Sequence, residues 1–272
     1  MGPEGKVMGA RRFVGRASTA HSRELRMSGP SYGTGVRATN PRGSGSPSAG
    51  SSAPVTSCTF DCYGTLIDWK AGIERHLGDL LRSEGYSGND PIYWLYVELE
   101  RREEREYAPY RAILARTATQ VGERLGIRIS AQQAREFAAS LPEWPPFADT
   151  IGVLRELGRR GIRRVILSNI DRDLLQETIR RSGLEVDGSV TAEDVHSYKP
   201  APGHWLRFLR DFSADRASTL HVAHGLVHDI VTAQRLGFRT VWVDRYAEDR
   251  SPEIRPTYVT KDLRGLLDLV GP

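Results

Sequence analysis

Two cysteines in 272 residues are too few for a disulfide framework. Cys58 and Cys62 also stand four apart within one apparent strand, which holds their side chains too far apart to bond. A reducing, cytoplasmic setting is therefore expected. Long apolar runs are missing too. None approaches the ~18 to 20 residues that span a bilayer, and the first residues lack the continuous apolar stretch of a secretory signal. The sequence thus predicts a soluble protein with no membrane partner. An excess of one charge is absent from most of the chain, although the net charge is +4. Eight Lys and Arg fall in residues 1–54 against two acids, Glu4 and Glu24, so the remainder carries 30 basic and 32 acidic residues. A body that close to neutral gives no support for a nucleic-acid partner.

Residues 1–54 have few large apolar side chains and many Gly, Ser, Arg and Pro, as in GPSYGTG and NPRGSGSPSAGSSAP. Such a segment cannot bury enough surface to offset its ordering entropy, so a disordered basic tail is expected. A transit peptide, an extension upstream of a later start such as Met27, and an inert tail all fit this composition.

Beyond residue 54 the chain contains five apolar runs that end in polar or glycine residues: VTSCTF, RRVILSN, GSVTAED, TLHVAH and TVWVD. Most are separated by segments with apolar residues three and four apart, at 149–161, 172–183, 202–212 and 229–237. That alternation predicts an α/β fold, a Rossmann-like three-layer core with a parallel sheet. Between the first two runs, 69–144 has helical periodicity and almost no strand-like alternation. The expected division is a tail at 1–54, a core at 55–68 and 146–272, and an inserted helical cap at 69–145. In such a sheet, ligands bind at the C-terminal ends of the strands, where the polar ends of the runs gather.

Those ends carry the chemistry. Asp61 closes the first run and is followed by Gly64 and Thr65, which suits a carboxylate nucleophile or a helix cap. Ser168 and Asn169 end the second run, as oxyanion holders or as a cap. Lys199, in SYKP after the third, brings a cation to the same edge, and Asp229 stands on the turn after the fourth. Taken singly, each has a bland reading. Together they lie in the order nucleophile, hydroxyl, cation, acid.

In that order the chain resembles the haloacid-dehalogenase superfamily, and within it the L-2-haloacid dehalogenases. The resemblance runs from about residue 55 to the end. It is carried by DCYGTLIDW from Asp61, ILSN ending at Asn169, VTAEDVHSYKP around Lys199 and HVAHGLVHDIVTAQRLGFRTVWVDR around Asp229. It implies a hydrolase of short 2-haloalkanoic acids in which Asp61 displaces halide and forms an ester that water cleaves. Lys199 would steady the developing charge, Asp229 would activate or position water, and Thr65, Ser168 and Asn169 would hold the carboxylates. Phosphatase members usually carry an acid two residues after the nucleophile, where this chain has Tyr63, expected to line the pocket. A halide leaves without a proton, so that acid is dispensable. Phosphatase members also carry an acid where this chain has His224. No essential cofactor or metal is therefore expected for the dehalogenase. Mg²⁺ on Asp61 and Asp229 is expected if the chain is instead a small-molecule phosphatase. A non-catalytic binding protein on the same fold is a third alternative.

The resemblance places a halide-binding Arg in the cap at Arg101, with Arg102 and Arg105 as neighbours that a shifted alignment would select. A solvated helix face is the bland reading of all three. Trp144, with Tyr93, Trp94 and Tyr96, is a candidate roof for the substrate, or else packs cap helices together. The dehalogenase branch has an Asn just before the motif of the final Asp, whereas this chain has His224 and Gly225, with His228 beside Asp229. The water's partner is left open among them. A small-molecule substrate is expected, and a homodimer is compatible with the sequence.

Overall fold

The computed structural model describes residues 53–248 and 251–271, so the expected tail, apart from its last two residues, lies outside the described residues. Six parallel strands form one sheet: β1 (Ser57–Phe60), β2 (Arg163–Ser168), β3 (Gly188–Thr191), β4 (Thr219–Ala223), β5 (Arg239–Val243) and β6 (Tyr258–Thr260). Their order is β3-β2-β1-β4-β5-β6. β1 is buried along its whole length and pairs with β2 and β4 in one register, Phe60 standing opposite Ile166 and Val222. Alternate residues leave a strand on opposite faces. Val165 and Leu167 of β2 accordingly pack with Trp205, Phe208 and Ala233, while Ile166 joins Leu154 and Leu157 on the other side. Helices cover both faces, which makes the expected three-layer Rossmann-like core.

Five α-helices lie between β1 and β2, and the first four fall in the expected insertion: α1 (Trp69–Ser83), α2 (Ile92–Glu103), α3 (Tyr110–Arg124) and α4 (Ala131–Ala139). The chain enters α1 through Asp68, whose carboxylate accepts from the Ala71 amide at 3.0 Å, and enters α4 through a capping box of Ser130 and Gln133. The remaining helices are α5 (Thr150–Arg159), α6 (Arg172–Ser182), α7 (Ala192–Val195), α8 (Gly203–Asp211) and α9 (Val231–Arg235). No helix among the described residues is long and apolar enough to cross a membrane.

The structure departs from the sequence expectations in three places. β6 is a sixth strand, and its three half-exposed residues are too few to show alternation. The third run stops being a strand at Thr191, because Thr191 and Asp194 cap each other around the start of α7. The helix expected at 229–237 begins instead as a π-helical turn, Leu226–Ile230, before α9. Such turns are frequent at functional sites. Strand order reverses at β1, so the crevice at the C-terminal ends of β1 and β4 is the natural ligand site.

Candidate active site

Asp61 prolongs β1, its amide donating to the carbonyl of Val222 at 3.1 Å. The chain then turns sharply: the Cys62 carbonyl accepts from the amides of Leu66 and Ile67, and Gly64 takes φ +93°, a region that side chains disfavour. The turn brings Thr65 back onto the nucleophile candidate. Its Oγ1 donates to Asp61 Oδ2 at 2.8 Å and accepts from the His224 amide at 2.9 Å. The other oxygen of Asp61 belongs to Lys199, whose Nζ donates to Asp61 Oδ1 at 2.8 Å, Asp229 Oδ1 at 2.6 Å and the Leu167 carbonyl at 3.0 Å. All three ammonium protons are thereby placed. Burial works against the charge of Lys199, but the Asp229 and Asp61 carboxylates outweigh it and hold its pKa above the ordinary lysine value. For Asp229 burial pushes upward, while Lys199 and a hydrogen bond from His221 pull it well below the usual carboxylate range.

Asp229 is held from behind as well. His221 Nε2 lies 3.2 Å from its Oδ1, and His221 Nδ1 lies 2.9 Å from Thr59 Oγ1, so a buried threonine and histidine set its orientation. Its Oδ2 packs against Gly225, where a Cβ would sit 2.6 Å away. Gly225 is therefore a consequence of the π-helical turn that aims this acid.

Asn169 Oδ1 accepts from the Lys199 amide at 2.7 Å and its Nδ2 donates to the Lys199 carbonyl at 3.3 Å. It orients the lysine loop. Ser168 is buried, and its carbonyl accepts from His204 Nε2 at 3.1 Å once that nitrogen carries the proton. Tyr63 turns its hydroxyl to Thr178 Oγ1 at 2.7 Å. Thr178 donates its own proton to the Leu174 carbonyl, so Tyr63 is the donor of the pair. Burial pushes the Tyr63 phenol well above its ordinary pKa. Trp144 is buried over Gly72 and meets Tyr63 edge-on at 6.4 Å. It packs behind the site and takes no part in the wall of the cavity beside Lys199.

That cavity, of about 440 Å³, is lined among others by Arg101, Glu104, Arg105, His196, Tyr198 and His228. The three candidate arginines separate here. Arg101 and Arg105 reach the cavity, whereas Arg102 pairs with Glu98 at 2.6 Å on the outer face of α2. Glu104 is a residue that sequence reasoning missed. It accepts from Asn169 Nδ2 at 3.4 Å and lies 4.0 Å from His228 Nδ1. Burial pushes its carboxyl up to about 7, against the opposing pull of Asn169, Lys199 and Arg101. His221 and Thr59 were missed too, because inside an apolar run they read as strand filler. His224 turns Nδ1 to the Val243 carbonyl at 3.2 Å and Nε2 towards Glu248 at 3.6 Å. Burial disfavours its charged form, yet Glu248 prevails and raises its pKa. Burial lowers that of His228.

A family model described as a haloacid dehalogenase-like hydrolase matches residues 55–237. The chain is 24% identical over 209 residues to (S)-2-haloacid dehalogenase 1 of Pseudomonas sp. (strain CBS-3), covering 75% of this chain and 90% of that one. It is 29% identical over 139 residues to a phosphoserine phosphatase of Thermus thermophilus, covering 49% and 56%. Among solved structures it resembles an L-2-haloacid dehalogenase from Xanthobacter autotrophicus with chloropropionic acid covalently bound, with a TM-score of 0.70 and 20% identity over 79% of this chain and 98% of that one.

Proposed function

The chain belongs to the haloacid dehalogenase-like hydrolases, and from that premise we propose that it hydrolyses the carbon–halogen bond of short 2-haloalkanoic acids through an ester on Asp61. One oxygen of Asp61 attacks the halogen-bearing carbon, the carbon–halogen bond breaks, and halide departs with the bonding pair. Water then adds to the Asp61 carbonyl carbon, losing a proton to the site. The ester bond breaks, and the 2-hydroxy acid and the free carboxylate result. Lys199 and Thr65, one on each oxygen, orient the nucleophile, and Lys199 screens it from Asp229. Asp229, fixed by His221 and kept ionised, is the base nearest the ester. The helices α1 to α4 act as the cap over this edge, and Arg101 receives the halide.

The observation that carries this reading is Tyr63. A phosphatase needs a proton donor for its leaving alkoxide, and the residue two after the nucleophile has instead committed its proton to Thr178. A leaving group that needs no proton fits this arrangement. The donor set for Mg²⁺ also fits poorly. Both oxygens of Asp61 and Oδ1 of Asp229 already accept hydrogen bonds, and His224 offers no oxygen. Among the described residues no group of three or more His, Cys, Asp or Glu is gathered for a metal. We therefore route no step through a metal.

The test is chloride release from chloroacetate and 2-chloropropionate in the presence of a chelator, run beside phosphate release from small phosphate esters with Mg²⁺. Chloride release that chelation leaves unchanged supports the proposal. Strict Mg²⁺ dependence with phosphate-ester turnover would replace it with the phosphatase reading, and no product from either panel would favour a binding protein on this fold.

A further inference from the structure

The cavity beside Lys199 is larger than a two- or three-carbon acid needs, and its wall is cationic. Its volume of about 440 Å³ falls among pockets that hold considerably larger ligands. Besides Lys199, two arginines line it, Arg101 and Arg105, together with His196 and with His228, whose charged form burial disfavours, against the single carboxyl of Glu104. Burial leaves that carboxyl only partly charged at neutral pH. Most arginines around this edge are committed: Arg102 to Glu98, Arg111 to Asp171 and Asp173, and Arg172 to Asp194. Arg105 has no ion pair or hydrogen bond among the described residues. A guanidinium left free at a cavity wall presents a planar fork suited to a carboxylate or phosphate.

His196, Tyr107 and Tyr198 also line the cavity. His196 ends α7 in the left-handed region, at φ +48°, and its ring lies edge-on to Tyr107 at 5.3 Å. Tyr107 in turn lies 5.7 Å from the ring of Tyr198, so an aromatic surface extends along the wall between His196 and the lysine loop. The cavity thus has both an aromatic stretch and two arginines in its lining.

We propose that this cavity is a second anion subsite, centred on Arg105, so that the substrate of the Asp61 site is a halo acid with another anionic group, a carboxylate or a phosphate, at its far end. The substrate class rests on the dehalogenase reading, but binding at the subsite does not require turnover. Calorimetric titration of the full chain with glutarate, with a short phosphate-bearing carboxylic acid and with butanoate, repeated on Arg105→Ala, tests it. One of the two dianions should bind about tenfold tighter than butanoate, as one charge-assisted contact allows. That preference should collapse to within about threefold in Arg105→Ala, whose unfolding midpoint shows that it is folded. Which dianion wins assigns the second group. Equal affinities for the three acids, or a preference that survives Arg105→Ala, would overturn the subsite. The chloroacetate assay separates the two ideas: chloride release without a dianion preference removes the subsite and leaves the reaction, and the reverse result removes the reaction.

Discussion

Glu104 has the opposite pH dependence from Asp229. The carboxyl of Asp229 is held below its ordinary value, so its contribution to stability is present above about pH 4 and is lost as pH falls through the folded value. Lys199 is held above its ordinary value, so its contribution is present below about pH 10 and is lost only as pH rises through the folded value. Glu104 is raised, so the folded state holds a proton that the unfolded state releases. Stability is therefore lost between the ordinary carboxylate pKa and about 7. Glu104→Gln removes that loss. In denaturant titrations the variant should gain roughly 1–3 kcal/mol on wild type between pH 4.5 and 8, whereas a difference independent of pH would show that Glu104 ionises normally. A second residue-scale test concerns the arginines. Arg101→Ala should raise the KM for a halo acid or slow halide loss by about tenfold, and Arg102→Ala, paired outwards with Glu98, should change either by less than about twofold. The reverse ranking would move the halide site along α2. Nothing in RREERE marks which side chains turn inwards, since that depends on how α2 packs over the core.

At the scale of elements, α3 begins without a cap of its own. Pro109 stands at its N-cap and supplies no side-chain acceptor, leaving its first amides open. Asp171, two residues after Asn169 on the loop between β2 and α6, fills the gap. Its carboxylate accepts from the Tyr110 amide at 2.7 Å and from the Arg111 amide at 3.0 Å, with Arg111 Nε at 3.0 Å as well. The loop that carries Asn169 thereby also anchors the start of α3. Asp171→Ala should lower stability by about 1–2 kcal/mol, and Asp171→Asn by less, in equilibrium unfolding. An unchanged midpoint in Asp171→Ala would mean that the cap contributes nothing. This junction was illegible in the sequence. IDRD after the second run reads as the start of its own helix, and an acceptor sixty residues from the helix it caps leaves no local signature. The five longer strands were legible because parallel strands buried on both faces are continuous apolar runs, as VTSCTF and TLHVAH are.

For the molecule as a whole, the order β3-β2-β1-β4-β5-β6 decides what meets what. Asp61, Lys199 and Asp229 were legible as neighbours because each stands at or after the end of an apolar run, and a parallel sheet brings those ends to one edge. Their connections were not legible. That Lys199 bridges both carboxylates, that Asn169 serves the lysine backbone, and that Trp144 packs behind Tyr63 all result from three-dimensional packing. The helical character of α1 to α4 was legible from their period alone, whereas the cavity that adjoins Lys199 depends on which part of α2 faces the core. The central claim for this assembly is that Asp61 itself carries the substrate. A single turnover of chloroacetate by excess enzyme in ¹⁸O-labelled water, with mass spectrometry of the peptide containing Asp61 and of the glycolate, tests it most directly. If water cleaves an ester at the Asp61 carbonyl carbon, the label enters Asp61 and the first glycolate is unlabelled; label in that glycolate with none in Asp61 would contradict the account.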